Sequence, residues 1–297
     1  MLPDAARAAG YRLIVRDAVG STMEEARRAL HAGESGKLWI VAREQTAGRG
    51  RHGRRWGSPP GNLYASLLLT NPCDPALAPQ LGFVAGLALH DAAARLLGAP
   101  ACGGEGRREE GSSGRHDAVP PPPARPPTPN PPPPRAGGGG PRLALKWPND
   151  LLVGRAKTAG LLLEGESRAG RLDLIIGFGV NIASFPPDTP YPATALAMHA
   201  PDATIEAMLA ALSEAFVARL ATWSRPGGFG PIRDAWLERA AFLGETITLR
   251  LPEGELAGIF AGIDPSGRLE LETREGRRVI DAGDLYFGPP DSSLRGA

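Results

Sequence analysis

The chain has 297 residues, of which 42% are hydrophobic and 22% are charged, and its formal net charge is +1. These values are typical of a globular protein with one large domain or two. The near-neutral charge argues against a general nucleic-acid-binding protein, because such proteins usually carry a strong basic excess.

Cysteine and histidine give no sign of a disulfide framework or a zinc site. The two cysteines are Cys73 and Cys102, and the five histidines are scattered without metal-ligand spacing. The first 20 residues lack the apolar core of a signal peptide, and no apolar run is long enough to span a membrane. We therefore expect a cytoplasmic protein that does not associate with membranes.

The first hundred residues predict alternating strands and helices. Strands are predicted at 11–16, 38–43 and 63–70, and helices at 25–32 and 76–97. Ser21 stands three residues before Glu24, which is the spacing of a capping box at a helix start.

Residues 101–142 differ from the rest of the chain, because proline runs at 120–123 and 131–134 and a glycine run at 137–140 replace apolar residues. Such a segment cannot offset its ordering entropy by burial, so we predict a disordered insert. It interrupts a fold rather than joining two domains, since a strand pattern resumes at once.

The second half predicts an antiparallel sheet, two helices and a β-rich end. Strands are predicted at 143–146, 151–153, 159–164 and 172–180, helices at 204–223 and 232–241, and further strands at 246–251, 255–263, 268–273 and 278–281. The expected fold class is therefore α+β with a small β-barrel-like module at the C-terminal end.

The most informative segment is the loop from Gly48 to Trp56, Gly-Arg-Gly-Arg-His-Gly-Arg-Arg-Trp. Glycine allows the backbone to approach a ligand closely, and arginine presents a planar fork of donors to carboxylate and phosphate oxygens. The loop therefore suits a small anion. There are two alternatives, which are a solvated basic loop and a patch that holds nucleic acid by charge.

A second cluster is Lys146-Trp147-Pro148-Asn149-Asp150, which places a lysine, an amide and a carboxylate within five residues. Lysine can neutralise phosphate oxygens, and a carboxylate can hold Mg²⁺ together with phosphate ligands. The alternative is a proline-directed turn in which Asn149 and Asp150 satisfy their own backbone.

Lysine is rare in this chain, which has only Lys37, Lys146 and Lys157. Lys157 follows Asp150 across a tight turn, so it could come back beside the same site, although an ordinary surface lysine is the alternative. Glycines at 177 and 179 end an apolar strand just before Asn181, where they would permit a ligand to approach or a helix to pack closely.

Together these segments resemble biotin protein ligase. The loop at 48–56 is similar to that family's biotin- and adenylate-binding loop, and residues 146–150 match its most recognisable motif. Ser21-Thr22, Gln45, residues 157–160 and residues 179–181 fall in the family's order and spacing. The resemblance covers roughly residues 11–290 apart from 101–142. His52 and Thr158 depart from the family's usual residues.

The resemblance implies a biotin/lipoate ligase catalytic fold at 11–241, with a mixed and mostly antiparallel sheet, and an SH3-like β-barrel at 243–290. It implies an ATP-dependent ligase that activates biotin as biotinyl-5′-AMP, with Mg²⁺, and transfers it to a lysine of a biotin carboxyl carrier protein or domain. Only about ten residues precede the first strand, so we expect a short form without a DNA-binding domain. A homodimer is plausible for this family.

The resemblance also assigns roles to individual residues. It places Lys157, Arg51 and Lys146 in catalysis, and Lys157 at the biotin carboxylate and the α-phosphate. The biotin pocket is expected to contain Ser21, Thr22, Gln45, Gly48, Arg49, Arg51, Lys157 and Gly160. The ATP site is expected to contain Trp56, which would stack on adenine, with Lys146, Asn149, Asp150 and Asn181. Asp150 is the expected metal ligand.

Three other functions remain open at this stage. A lipoate protein ligase would share the fold and the adenylation chemistry, but the loop and the 146–150 motif favour biotin. A nucleic-acid-binding module would use the arginines at 49–55. The near-neutral net charge of the chain and the lack of aromatic residues beyond Trp56 in this loop argue against that function. A carrier-binding protein without activity would not need both cationic clusters and Asp150.

Overall fold

The structure is a computed structural model that describes residues 1–98, 142–168, 170–187, 189, 191–251, 254–281 and 284–286. The predicted insert, apart from residue 142, and Cys102 lie outside the described residues. Among the described residues, no helix is both long enough and apolar enough to cross a membrane.

The described residues form two sheets and five α-helices. The helices are α1 (Asp4–Ala8), α2 (Thr22–His31), α3 (Gln80–Leu96), α4 (Ile205–Trp223) and α5 (Phe229–Glu238). The strands of the first sheet are β1 (Arg12–Val19), β2 (Leu38–Gln45), β3 (Leu63–Leu69), β4 (Leu143–Lys146), β5 (Asp150–Val153), β6 (Ala156–Arg168) and β7 (Arg171–Val180). The strands of the second sheet are β8 (Thr246–Leu251), β9 (Gly254–Ile263), β10 (Leu269–Thr273), β11 (Gly276–Ile280) and β12 (Asp284–Tyr286).

The first sheet has the strand order β1-β2-β3-β7-β6-β5-β4. Strands β1 and β2 are parallel, because α2 connects them as a crossover, and the other neighbours are antiparallel. The prediction of an α+β fold with a mixed, mostly antiparallel sheet is therefore confirmed.

The two faces of this sheet carry different cores. Along β7, Ile176 and Phe178 belong to a large core shared with α3, α4 and α5, whereas Ile175 joins a smaller core under α2. This alternation follows from the two-residue period of a strand. On the α2 side the positions after Ile175 are Gly177 and Gly179, so the sheet there has no side chains to fill the space.

One helix cap and two helix boundaries differ from the sequence prediction. Helix α2 begins as expected, but the Ser21 side chain makes no capping hydrogen bond to it, so the predicted capping box is wrong. Helix α3 begins at Gln80 because Pro75 opens a separate 3-10 turn and Pro79 takes the N-cap position. Helix α5 ends at Glu238 because the next residues leave the helix and pair with β4, where the Leu145 amide donates to the Arg239 carbonyl at 2.7 Å.

The second sheet has the order β11-β10-β9-β8-β12 and is antiparallel throughout. It provides the small C-terminal β module that the sequence predicts, and the expectation of an SH3-like barrel is confirmed. Strand β12 was not predicted, since three residues give too little periodicity to detect. The module packs against the large core, to which its residues Phe260 and Leu249 belong.

Candidate active site

The candidate site is built on one row of directly paired residues that crosses five strands of the first sheet. Tyr64 pairs with Gly179, Gly179 with Gly160, Gly160 with Asp150, and Asp150 with Lys146. Directly paired residues point to the same face of a sheet. The row therefore places two glycines in the middle of the α2 face, with a carboxylate and a lysine at one end.

The indole of Trp56 fills the space that side chains at the two glycine positions would occupy. A Cβ atom built on Gly179 would lie 2.6 Å from Trp56 Cε2 and 2.7 Å from Nε1. A Cβ atom on Gly160 would lie 3.2 Å from Trp56 Cζ3 and from Lys157 Nζ. The ring therefore lies directly against the glycine backbone, which only glycine permits at this distance.

The loop before Trp56 is a closed hairpin. Arg49 and Arg55 form an antiparallel bridge, the Trp56 amide donates to the Gly48 carbonyl at 2.9 Å, and the Gly50 amide donates to the Arg54 carbonyl at 2.7 Å. His52 forms the exposed tip with a left-handed φ of 55°. Arg49, Arg54 and Arg55 are exposed on this hairpin, so the predicted cationic loop is also the segment that positions the aromatic ring.

Lys157 reaches the glycine row because of a β-bulge. The register of β5 against β6 shifts after Leu151, which leaves Thr158 as an extra residue. In a regular strand Lys157 and Gly160 would point to opposite faces, whereas the extra residue re-aims the lysine onto the same face. Its ammonium group lies 2.6 Å from Asp150 Oδ1, and its side chain is only 12% exposed.

Asp150 holds both buried lysines of the site. Lys146 Nζ lies 3.7 Å from the second carboxylate oxygen, and the side chains of Lys146 and Asp150 are 8% and 10% exposed. Two ammonium groups this close repel each other, and the carboxylate between them offsets that repulsion. An anionic ligand that approached the two lysines would share this role with Asp150.

Tyr191 is a site residue that the sequence analysis missed. Its ring lies 5.2 Å from Lys146 Nζ and 5.4 Å from Lys157 Nζ, while Trp56 lies 5.2 Å from Lys157 Nζ on its own side. Aromatic faces attract ammonium groups at such distances. A single tyrosine in a proline-rich stretch carries no local signal for this position, because only the fold brings 191 to 146 and 157.

The far half of the site is uncharged. Met23, at the start of α2, lies over β7, where a Cβ on Gly177 would approach its sulfur to 2.7 Å. The Gln45 side chain accepts hydrogen bonds from the amide and hydroxyl of Thr22, at 2.8 and 3.1 Å, and donates to Ser58 at 3.0 Å. This half thus combines an apolar groove with a fixed amide.

These elements enclose a cavity of about 470 Å³. Of the sequence-predicted site residues, those that line it are Ser21, Thr22, Gln45, Arg49, Arg51, Trp56, Lys146, Asn149, Asp150, Lys157 and Gly160. The described lining has six cationic side chains, from Arg49, Arg51, Arg54, Arg55, Lys146 and Lys157, and one carboxylate, from Asp150. The cavity is therefore suited to a ligand that carries several negative charges.

Two predicted site residues, Gly48 and Asn181, do not line the cavity. A Cβ on Gly48 would lie 2.6 Å from Ser58 Oγ and 2.7 Å from the Trp56 carbonyl, so this glycine makes room for the loop's own hydrogen bonds. Asn181 is buried and donates through Nδ2 to the Thr194 carbonyl at 3.2 Å, while its amide donates to the Thr158 carbonyl at 2.8 Å. It connects the bulged strand to the segment that carries Tyr191.

Asp150 could serve as a carboxylate ligand of Mg²⁺, but as a single one. Among the residues that the structure describes, no three Asp, Glu, His or Cys side chains cluster closely enough to hold a metal ion by themselves. Mg²⁺ often takes one or two carboxylates and completes its shell with water and substrate phosphates. The residues present therefore suit an ion that enters together with phosphate groups.

Tyr64 supports the loop from the end of the glycine row. Its hydroxyl donates to the Pro59 carbonyl at 2.7 Å, and burial raises the pKa of Tyr64 to about 12. The phenol therefore stays protonated near neutral pH and remains a donor. It acts as a fixed support for the segment after Trp56.

Comparison with known proteins assigns both parts of the chain. Residues 19–181 match the model of the biotin/lipoate A/B protein ligase family, and residues 242–288 match the biotin protein ligase C terminal domain. The chain is 40% identical over 278 residues to the biotin–[acetyl-CoA-carboxylase] ligase of Paracoccus denitrificans, covering 90% of this chain and 97% of the relative. It is 29% identical over 286 residues to the bifunctional ligase/repressor BirA of Bacillus subtilis, covering 94% and 75%.

A solved structure shows the same fold. The biotin protein ligase from Aquifex aeolicus, in complex with biotin and ATP, matches with a TM-score of 0.68 and 27% identity. The match covers 93% of this chain and 97% of that one.

The contact between Gly179 and Trp56 gives a first prediction. In Gly179→Ala the new Cβ overlaps the indole, so Trp56 leaves the glycine row and becomes exposed to water. The emission of Trp56, obtained by subtracting the spectrum of a Trp56→Phe partner variant, shifts to the red. Gly82→Ala is the control, because no atom lies within 4 Å of its Cβ position in α3. An unshifted Trp56 spectrum in Gly179→Ala would contradict the packing described above.

Proposed function

The chain belongs to the biotin/lipoate A/B protein ligase family, and we propose that it activates biotin with ATP and transfers it to a lysine of a carboxylase. In the first step the biotin carboxylate attacks the α-phosphate of ATP, which gives biotinyl-5′-AMP and pyrophosphate. In the second step the ε-amine of the acceptor lysine attacks the carbonyl carbon of the adenylate, and AMP leaves. The observation that carries this proposal is a cavity with six cations and one carboxylate beside an uncharged groove, in a chain 40% identical to such a ligase.

The charged half of the cavity suits the meeting of two anions. A carboxylate and a triphosphate repel each other, so the site must neutralise both before they react. We assign this role to Lys157 and Lys146, whose ammonium groups are already held side by side on Asp150. When the phosphates bind, the lysines exchange part of their contact with Asp150 for phosphate oxygens.

The uncharged half suits the ring system of biotin. Met23, which covers Gly177 of β7, provides an apolar wall, and Ser21, Thr22 and Gln45 provide polar groups at its end. The Ser21 hydroxyl makes no capping hydrogen bond to α2, so it can turn toward a ligand. Biotin then extends from this end toward Lys157, with its carboxylate in the charged half.

The aromatic residues suit the nucleoside and the shielding of the intermediate. We assign Trp56 to stacking on adenine, and Arg51 to closing the loop over the adenylate. A mixed anhydride hydrolyses if water reaches it, so a loop that covers it protects the product of the first step. Asn149 lines the cavity but donates to the Leu161 carbonyl at 2.5 Å, so it orders the turn before Asp150 whatever else it contacts.

Mg²⁺ belongs to this proposal as the partner of ATP. It would neutralise phosphate charge and help the pyrophosphate to leave. Asp150 is the carboxylate that would hold it, in exchange for part of its contact with Lys157.

The partner of the second step is a carboxylase with a lysine acceptor, in line with the activity for which the Paracoccus relative is named. Its acceptor is a biotin carboxyl carrier protein or domain, whose lysine enters the cavity beside the adenylate. A cytoplasmic location, a homodimer, and the absence of DNA and membrane binding stay predictions. We also keep the division into a catalytic domain at 11–241 and a C-terminal domain at 243–290 as a proposal, which the two separate sheets support.

A lipoate ligase remains the alternative substrate assignment within the same family. The polar groups at the end of the uncharged groove favour biotin, because its ureido group needs hydrogen-bond partners and the dithiolane ring of lipoate does not. Incubation with ATP, Mg²⁺ and either acid, followed by mass spectrometry of the acyl-adenylate, decides between the two.

Lys157 provides the second prediction. Lys157→Ala removes the charge that meets the biotin carboxylate and the α-phosphate, and loss of such a contact typically lowers the rate on the order of 10²–10³-fold. The measurement is the initial rate of biotinyl-5′-AMP formation. Arg155→Ala is the matched control, since this nearby cation is exposed and pairs with exposed Glu245 outside the cavity. Adenylate formation by Lys157→Ala at the parent rate would contradict this assignment.

Arg51 provides the third prediction. Arg51→Gly removes the side chain that we assign to closing the loop. We expect the rate of adenylate release to rise by a larger factor than the rate of adenylate synthesis falls. Free adenylate acylates any amine, and biotinylation of a bystander protein therefore rises relative to the carrier. The measurement compares labelling of the two by mass spectrometry. An unchanged ratio at reduced total activity would assign Arg51 to synthesis instead.

A further inference from the structure

A chain of side-chain hydrogen bonds runs under the uncharged half of the cavity. Ser66 Oγ donates to Thr22 Oγ1 at 2.9 Å, and Thr22 Oγ1 donates to Gln45 Oε1 at 3.1 Å. Gln45 Nε2 donates to Ser58 Oγ at 3.0 Å, and Ser58 Oγ donates to the Trp56 carbonyl at 3.1 Å. The chain thus connects the middle of β3 to the loop residue that lies on the glycine row.

The direction of this chain is fixed at both ends. The Trp56 carbonyl can only accept, so the Ser58 hydroxyl must donate to it and accept from Gln45. The Thr22 backbone amide can only donate, and it donates to Gln45 Oε1 at 2.8 Å. Gln45 therefore has one possible amide orientation, and the Thr22 hydroxyl must point its hydrogen at that oxygen. Ser66 then fills the acceptor position of Thr22.

The two serines of the chain do not touch the cavity themselves. Neither Ser58 nor Ser66 is among the described residues that line it, whereas Thr22 and Gln45 are. Ser66 is fully buried, and Ser58 is 7% exposed. Gly48 leaves the space that the chain needs, because a Cβ there would lie 2.6 Å from Ser58 Oγ and 3.0 Å from Gln45 Nε2.

We propose that Ser66 and Ser58 are positioning residues that orient Thr22 and Gln45 toward the ligand and couple the floor of the cavity to the loop at Trp56. The specificity part of this proposal rests on the proposed function, since it concerns the ureido group of biotin. With the chain intact, Gln45 keeps one Nε2 hydrogen for a ligand acceptor such as the ureido oxygen. With Ser66 removed, the Thr22 hydroxyl loses its donor, and the amide of Gln45 is less firmly held.

The coupling is tested in the ligand-free protein by hydrogen–deuterium exchange of peptides that cover residues 45–58. Ser66→Ala is expected to speed exchange of these loop amides several-fold, although Ser66 lies in β3 rather than in the loop. Ser213→Ala is the matched control, because this serine is equally buried in α4 and its hydroxyl bonds to the Ala210 carbonyl. Ser66→Cys separates packing from hydrogen bonding, since it keeps a polar side chain of similar size but donates weakly.

Unchanged loop exchange in Ser66→Ala overturns the coupling. Parent-like exchange in Ser66→Cys alongside fast exchange in Ser66→Ala also overturns it, because packing alone would then explain the effect. These results do not depend on any substrate, so they stand whether or not the chain activates biotin.

The orientation of the ligand is tested by steady-state formation of biotinyl-5′-AMP. Ser66→Ala is expected to raise the KM for biotin about three- to ten-fold, the effect of losing one neutral hydrogen bond, with kcat within about two-fold of the parent. Ser213→Ala leaves both constants unchanged. A loss confined to kcat, or an equal rise in KM for Ser213→Ala, contradicts the positioning role. A parent protein that makes no biotinyl-5′-AMP refutes the proposed function and the ureido assignment, while the exchange experiment still decides the coupling.

Discussion

The site depends on the absence of two side chains in the middle of a sheet. Gly160 and Gly179 face each other across β6 and β7, and the indole of Trp56 lies on their backbone at distances that leave no room for a Cβ atom. Any larger residue there would displace the indole from the sheet. Because these positions are in register with Tyr64, Asp150 and Lys146, the indole lies directly beside the charged end of the site.

Charge is handled at that end by burial and by mutual contact. Lys146, Asp150 and Lys157 are each largely buried, and a cation on its own in such a place would be costly. The carboxylate and the aromatic rings of Trp56 and Tyr191 hold both ammonium groups in place before a ligand arrives. The site is thus preorganised for anions, which is the form of catalysis that costs least reorganisation at the moment of reaction.

Residues outside the cavity hold this arrangement. The bulge at Thr158 aims Lys157, Asn181 ties the bulged strand to the segment that carries Tyr191, and Gly48 leaves space for the hydrogen bonds of the loop. Gly48 and Asn181, which the motifs mark for ligand binding, both lie outside the cavity lining and contact the residues that support it.

The sequence by itself determined the fold class, the order of most strands and helices, and the composition of the two cationic clusters. These follow from local periodicity, from turn residues and from residue types that lie close together along the chain. Only the tertiary structure decided which of these residues share a cavity. The row through the two glycines requires the pairing of five separate strands, and the bulge that turns Lys157 is a register shift without a marker in the sequence. Tyr191 reaches the lysines from a segment more than 30 residues away. The same limit explains the capping box, because Ser21 has the right spacing to cap α2 but its side chain does not form the cap.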